Sequence, residues 1–214
     1  MALLTLLPSK LKVPIYRHVF GFDISKDARI GLSWIACQNL IMARGATIGH
    51  MNVVRGSMTL RMEPKSAIGQ FNWITAGNTD PRYFKGFQRQ PELVMGEESS
   101  ITSRHILDCT DRIEIGRFTT LAGYRSTILT HSIDYRAAKQ SCRPIKIGDL
   151  CLIGSNVVIL MGVTISDRSV VGAGTIVASS TDKELGLWVG VPARRTRDLT
   201  GEEGYFLRPH GHIY

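Results

Sequence analysis

Cysteine is scarce in this chain of 214 residues, and the four present, Cys37, Cys109, Cys142 and Cys151, show no CxxC spacing. That argues against a zinc ribbon and against a disulfide framework, and points to a reducing, cytoplasmic home. Aromatic residues make up only 7% of the sequence. There is no aromatic RNA-recognition strand, no zinc-finger spacing and no basic helix, so nucleic acid is not the expected partner. Acidic residues are outnumbered 18 to 26 by scattered lysines and arginines, giving a net charge of +8. An excess of this size favours anionic partners such as nucleotide phosphates or an acidic membrane surface. No long hydrophobic run is present either. The apolar opening from Met1 to Leu7 meets Pro8, Lys10 and Lys12, which makes it too short to span a bilayer and unlike a signal peptide. Packing on a neighbour is the favoured reading of that opening, with peripheral membrane contact as the alternative. His210 and His212 have no third ligand close in sequence, so no metal is expected.

What the chain does have is a period. Ile147, Ile153, Ile159, Ile165, Val171 and Val177 recur every six residues, with Gly148, Gly154 and Gly172 directly after three of them. Neither the 3.6-residue helix period nor an unbroken strand alternation produces a six-residue beat. A coil with three flat sides does, each side being a short strand and a corner, so that residues three hexads apart stack at about 4.8 Å. Aliphatic anchors then fill the interior of a prism, and glycine suits the corners where a Cβ would crowd the bend. The expected fold is all-β, a parallel β-helix of hexapeptide repeats.

The beat begins early, at Ile24, Ile30, Ala36, Met42, Ile48, Val54 and Leu60. Residues 1–23 lie ahead of it and hold Phe20 and Phe22, suited to cap the open end of a prism. The repeat domain is expected over 24–194, followed by a polar, basic surface tail over 195–214. Two stretches lose the beat. Residues 77–93 carry Arg82, Tyr83, Phe84, Lys85, Phe87 and Arg89, and read either as a loop that contacts a sugar or ligand phosphates or as one that packs on another subunit. Residues 135–146 form the second excursion.

Just before that second excursion lies Ile128-Leu129-Thr130-His131-Ser132-Ile133-Asp134. If Ile128 faces the prism interior, His131 faces out where the chain leaves its scaffold, a suitable place for a general base with a pKa near neutrality. An exposed structural histidine is the other reading of that spacing. Asp134 either orients the imidazole or ends the turn.

The order Ile-Leu-Thr-His131-Ser-Ile-Asp134, Pro144-Ile-Lys-Ile-Gly148, Leu-Ile-Gly154-Ser, Gly162-Val-Thr-Ile, Val-Gly-Ala173-Gly174 and Val-Gly-Val-Pro192-Ala-Arg194 resembles the hexapeptide-repeat acyltransferases, which include maltose, galactoside and polysaccharide O-acetyltransferases. The match is close over roughly residues 95–198 and looser before. This resemblance implies a left-handed coil and an acetyl-coenzyme A-dependent O-acetyltransferase acting on a saccharide hydroxyl of a polysaccharide or lipopolysaccharide precursor. It also implies a homotrimer with sites between subunits. His131 falls at the family's catalytic histidine. By the same resemblance Gly154, Gly162, Ala173 and Gly174 would let the pantetheine arm approach the backbone, and Arg194, Arg195 and Lys146 would meet phosphates. Tyr83 and Arg82 of the first excursion belong to the expected acceptor site, and His105 either lines that site or fills a groove.

Competing readings differ in class. A gamma-type carbonic anhydrase needs a His-x4-His pair that is absent. A noncatalytic scaffold would have no use for His131 beside the Gly-x-Pro-Ala-Arg block, and a serine acetyltransferase would bring a longer N-terminal domain. An N-acetyltransferase acting on an amino sugar stays open beside the O-transfer reading.

Overall fold

The computed structural model describes residues 2–77, 80 and 82–213; Met1, Tyr214 and residues 78, 79 and 81 of the first excursion lie outside the described residues. The chain winds as a coil with three flat faces of parallel strands. On the first face Ile30, Ile48, Ile68, Ile101, Leu121, Ile153 and Val171 stack in register, coil upon coil. The second face stacks Val54, Ile74, Leu107, Ile128, Ile159 and Val177, and the third stacks Met62, Met95, Ile115, Ile147 and Ile165. None of these anchors is more than 2% exposed. Each removes an aliphatic side chain from water, worth about 1.5–3 kcal/mol apiece.

One anchor expected from the hexad is displaced. Ile35, not Ala36, points inward, because strand Trp34–Met42 runs unbroken over the edge from the second face to the third with an irregularity between Cys37 and Asn39. Strand Val53–Met62 crosses the same edge, so the two faces share one twelve-stranded sheet.

At the edge between the first and second faces, the corner amides left over from strand pairing are met by a column of polar side chains. Asn52 donates from N and Nδ2 to Ser33 Oγ at 2.9 and 3.2 Å, and Asn72 does the same to Asn52 Oδ1 at 2.9 and 3.0 Å. His105 N donates to Asn72 Oδ1, and Ser126 N to His105 Nδ1.

Both ends are covered. At one, helix α1 (Ser9–Val19) lays Tyr16 against Phe20 and Phe22, and buried Lys12 donates from Nζ to the carbonyls of Thr5 and Gly31 at 3.0 and 2.6 Å. At the other, Gly186–Val189 pairs with Val170–Val171 and then turns back antiparallel onto Arg194–Asp198. The expected surface tail is therefore tied to the coil in several places. Tyr205 Oη donates to the Cys151 carbonyl at 2.7 Å, Arg208 lies over the Tyr205 ring, and Gly211 N donates to Glu98.

The outer surfaces of the faces differ. The third bears a ladder of charge, Arg61, Glu92, Arg112, Glu114 and Lys146. The second bears apolar Trp73 and Ile106, each 48% exposed.

Both excursions leave where the second face turns into the third. The first follows strand Trp73–Thr75 and returns at Glu92–Met95. The second is an antiparallel hairpin of His131–Asp134 with Lys139–Cys142. It thus begins at His131 itself, earlier than the expected 135, and Lys146 lies in face strand Ile145–Ile147. Between the two excursions, the intervening coil turns the same edge directly, from Ile106–Asp108 to Ile113–Ile115.

Candidate active site

That tight edge places an acid beside the histidine. Leu107 pairs with Ile128 and Asp108 with Leu129, so Asp108 lies one coil away from the residues that lead into the hairpin. Its Oδ2 is 2.6 Å from His131 Nδ1 and also accepts the backbone N–H groups of Thr130 and His131, both at 3.1 Å. Its Oδ1 accepts the Thr110 hydroxyl at 2.6 Å. Thr130 Oγ1 donates to the Asp108 carbonyl at 2.7 Å and accepts Asp111 N at 2.9 Å, which locks the corner to the hairpin root.

Asp108 has an 11% exposed side chain, and His131 has 37%. Burial works against the Asp108 charge, but the bonds from His131 and Thr110 outweigh it and hold the carboxyl below its usual range. The same bond to Asp108 holds the His131 imidazole above its ordinary value. With Nδ1 engaged, Nε2 is the nitrogen left to accept a proton. The edge of the Phe84 ring meets the His131 ring at 5.9 Å and 89°, and the Arg89 guanidinium lies over Phe84 at 4.5 Å. Residues 82–87 and the hairpin together enclose a cavity of about 790 Å³ lined by Tyr83, Phe84, Lys85, Phe87, Ile133 and Lys139 among others.

The residues singled out from the sequence fall as follows. Arg82 and Tyr83 line this cavity. Asp134 sits in the hairpin turn, where Oδ1 accepts the amides of Arg136 and Ala137; the carboxylate at His131 is Asp108. His105 is fully buried in the polar column, with Nε2 2.9 Å from Thr102 Oγ1, and burial lowers its pKa to about 4. It is not among the residues that line the cavity. Gly154, Ala173 and Gly174 lie on the edge between first and second faces, where Gly154 packs closely on Ala173 and Gly174 takes φ +73°. Gly162 lies on the His131 edge beneath the Arg143 side chain. Lys146 pairs with Glu114 at 3.8 Å on the third face, Arg195 with Asp198 at 2.6 Å, and the Arg194 guanidinium donates to its neighbour's carbonyl at 3.1 Å. One copy of the chain does not gather these into a single groove.

Sequence reasoning missed Asp108, and it named Phe84 only as one aromatic of the first excursion. The available signal for Asp108 was the pairing of anchors Leu107 and Ile128 one coil apart, which sets Asp108 beside the approach to His131.

Residues 144–179 match the family described as the hexapeptide repeat of succinyl-transferase. Over 137 residues the chain is 31% identical to YvoF of Bacillus subtilis (strain 168), assigned as an acetyltransferase, and the match covers 61% of this chain and 69% of YvoF. It is 43% identical over 63 residues to the galactoside O-acetyltransferase of Escherichia coli (strain K12), 29% of this chain and 30% of that protein. The hexapeptide-repeat acetyltransferase VCA0836 of Vibrio cholerae O1 biovar eltor, solved with acetyl-coenzyme A, is 30% identical, with a TM-score of 0.47 and coverage of 73% of this chain and 72% of that one.

Proposed function

The chain belongs to the hexapeptide-repeat acetyltransferases, and from that premise we propose that it uses acetyl-coenzyme A to acetylate a hydroxyl of a saccharide, a polysaccharide or lipopolysaccharide precursor, with His131 as general base. The observation that carries this reading is the 2.6 Å bond between His131 Nδ1 and a buried carboxylate at the root of an excursion. Such a bond fixes the tautomer with its lone pair on Nε2 and stabilises the imidazolium once it forms.

In the proposed step Nε2 takes the proton of the acceptor hydroxyl as its oxygen attacks the thioester carbonyl. The tetrahedral oxyanion collapses, the carbon–sulfur bond breaks, and the departing thiolate receives the proton from the imidazolium. No covalent enzyme intermediate is required. Orientation by the rigid coil and general-base assistance, worth about a hundred- to ten-thousandfold, supply the rate. Asp108 acts by holding the imidazole, and Thr130 by holding Asp108.

The cofactor groove is completed between copies. Gly154, Ala173 and Gly174 line an edge of the prism different from that of His131 and Gly162, so one subunit's small-residue edge would face another's histidine. The exposed apolar surface of the second face, with Trp73 and Ile106, supports a homotrimer. A cytoplasmic site of action accords with a supply of acetyl-coenzyme A.

The test is release of free thiol from acetyl-coenzyme A in the presence of saccharide acceptors, with amino sugars included to separate O- from N-transfer. A His131→Ala protein should lose at least about a hundredfold in rate. If it works as fast as wild type with an active acceptor, His131 is not the base.

A further inference from the structure

The cavity between the two excursions has a one-sided chemistry. Among the described residues its lining includes Arg82, Lys85 and Lys139, and no acidic side chain. Of the acids on the same segments, Asp80 pairs with Arg82 at 2.6 Å and so offsets that one lining cation, and Asp134 accepts the amides of its own turn. Lys85 and Lys139 lie on opposite walls, one from each excursion, and among the described residues neither forms an ion pair. Their positive charges are thus set across a shared space with no internal counter-ion. Exposed apolar surface completes the lining, with Tyr83 and Phe87 each 42% exposed and Ile133 63%. Flat aromatic faces suit the C–H faces of a pyranose ring, and paired cations suit a carboxylate or phosphate carried on it. Phe84 joins this cavity to the base, since it lines one and touches the other.

We propose that the acceptor is an acidic saccharide, its anionic group held between Lys85 and Lys139 while its ring stacks on the aromatic wall near His131. The proposal deepens the saccharide reading above and rests on it. Neutral sugars fit the aromatic wall as well but leave both ammonium groups without a partner.

The probe is a galacturonate trisaccharide compared with its methyl ester, which keeps the ring and removes the charge. Wild type should show kcat/KM at least about tenfold higher for the acid, the scale of two solvent-exposed ion pairs, and the preference should shrink as salt is raised. The exposed double variant Lys85→Gln/Lys139→Gln should show no preference. Equal use of the two probes by wild type, or a preference for the ester, would overturn the proposal while leaving acetyl transfer intact. Binding is read separately by calorimetric titration without coenzyme A. Selective binding of the acid, lost in the double variant, supports the proposal even where transfer to this sugar is slow; binding of neither probe at millimolar concentration overturns it. Binding with no thiol release from any saccharide counts against the transferase reading instead.

Discussion

Nδ1 of His131 is tied to Asp108, and in the proposed reaction a base tied in this way has a definite pH signature. Catalysis needs the neutral imidazole, and the bond to Asp108 raises the pKa, so the acid limb of kcat/KM should lie above the ordinary histidine value of about 6.5. Asp108→Asn removes both the bond to a charged acceptor and the charge. The limb should move to lower pH, while the rate at neutral pH falls roughly a hundredfold or more because the imidazolium loses its partner. A pH–rate profile reads both effects; an unmoved limb would show that Asp108 does not hold the base. This pair also shows what a sequence can and cannot disclose at the scale of residues. His131 stood out because the repeat stops there. Asp134 looked like its partner because it is three residues away, but a hairpin turn claims that carboxylate, and the acid that reaches the imidazole comes from a neighbouring coil through strand register.

At the scale of elements, the coil is set by columns, and each column suggests a substitution. Gly49 sits directly over Gly69, and a Cβ built on it would strike the Gly69 carbonyl, part of the backbone. Gly49→Ala should therefore cost roughly 1–3 kcal/mol or more, read as a lower midpoint in denaturant. The polar column makes a different prediction. His105 is held near pKa 4 by burial, against about 6.5 in an unfolded chain. The folded state binds that proton less well, so the stability contributed by the neutral ring is present above about pH 6.5 and is lost as pH falls towards 4, by about 3 kcal/mol. His105→Asn would copy its column neighbours Asn52 and Asn72 and should flatten the melting temperature across that window with the fold retained. The aliphatic beat made the later coils legible in the sequence because there each face is a two-residue strand and each corner a tight turn. In the early coils, strands Trp34–Met42 and Val53–Met62 run over an edge without stopping, which is why the count landed on Ala36 and the wall on Ile35.

For the whole molecule the decisive question is assembly. A trimer should be seen by native mass spectrometry, and Trp73→Lys with Ile106→Lys should yield monomers that bind coenzyme A poorly, because the apolar face is interrupted and the groove between copies is not formed. A folded, trimeric and fully active double variant would place the interface elsewhere. The placement of both excursions on one edge, with a plain coil between them, also bears on how such a protein changes over time. A residue in the wall is constrained by the coils stacked on either side of it, whereas lengthening an excursion costs only about 0.6 kcal/mol per doubling through loop closure. On the proposed reading, acceptor choice can therefore drift, or be transplanted from a relative, by exchanging the first insert and the part of the hairpin beyond His131, with the proposed base and the scaffold inherited unchanged.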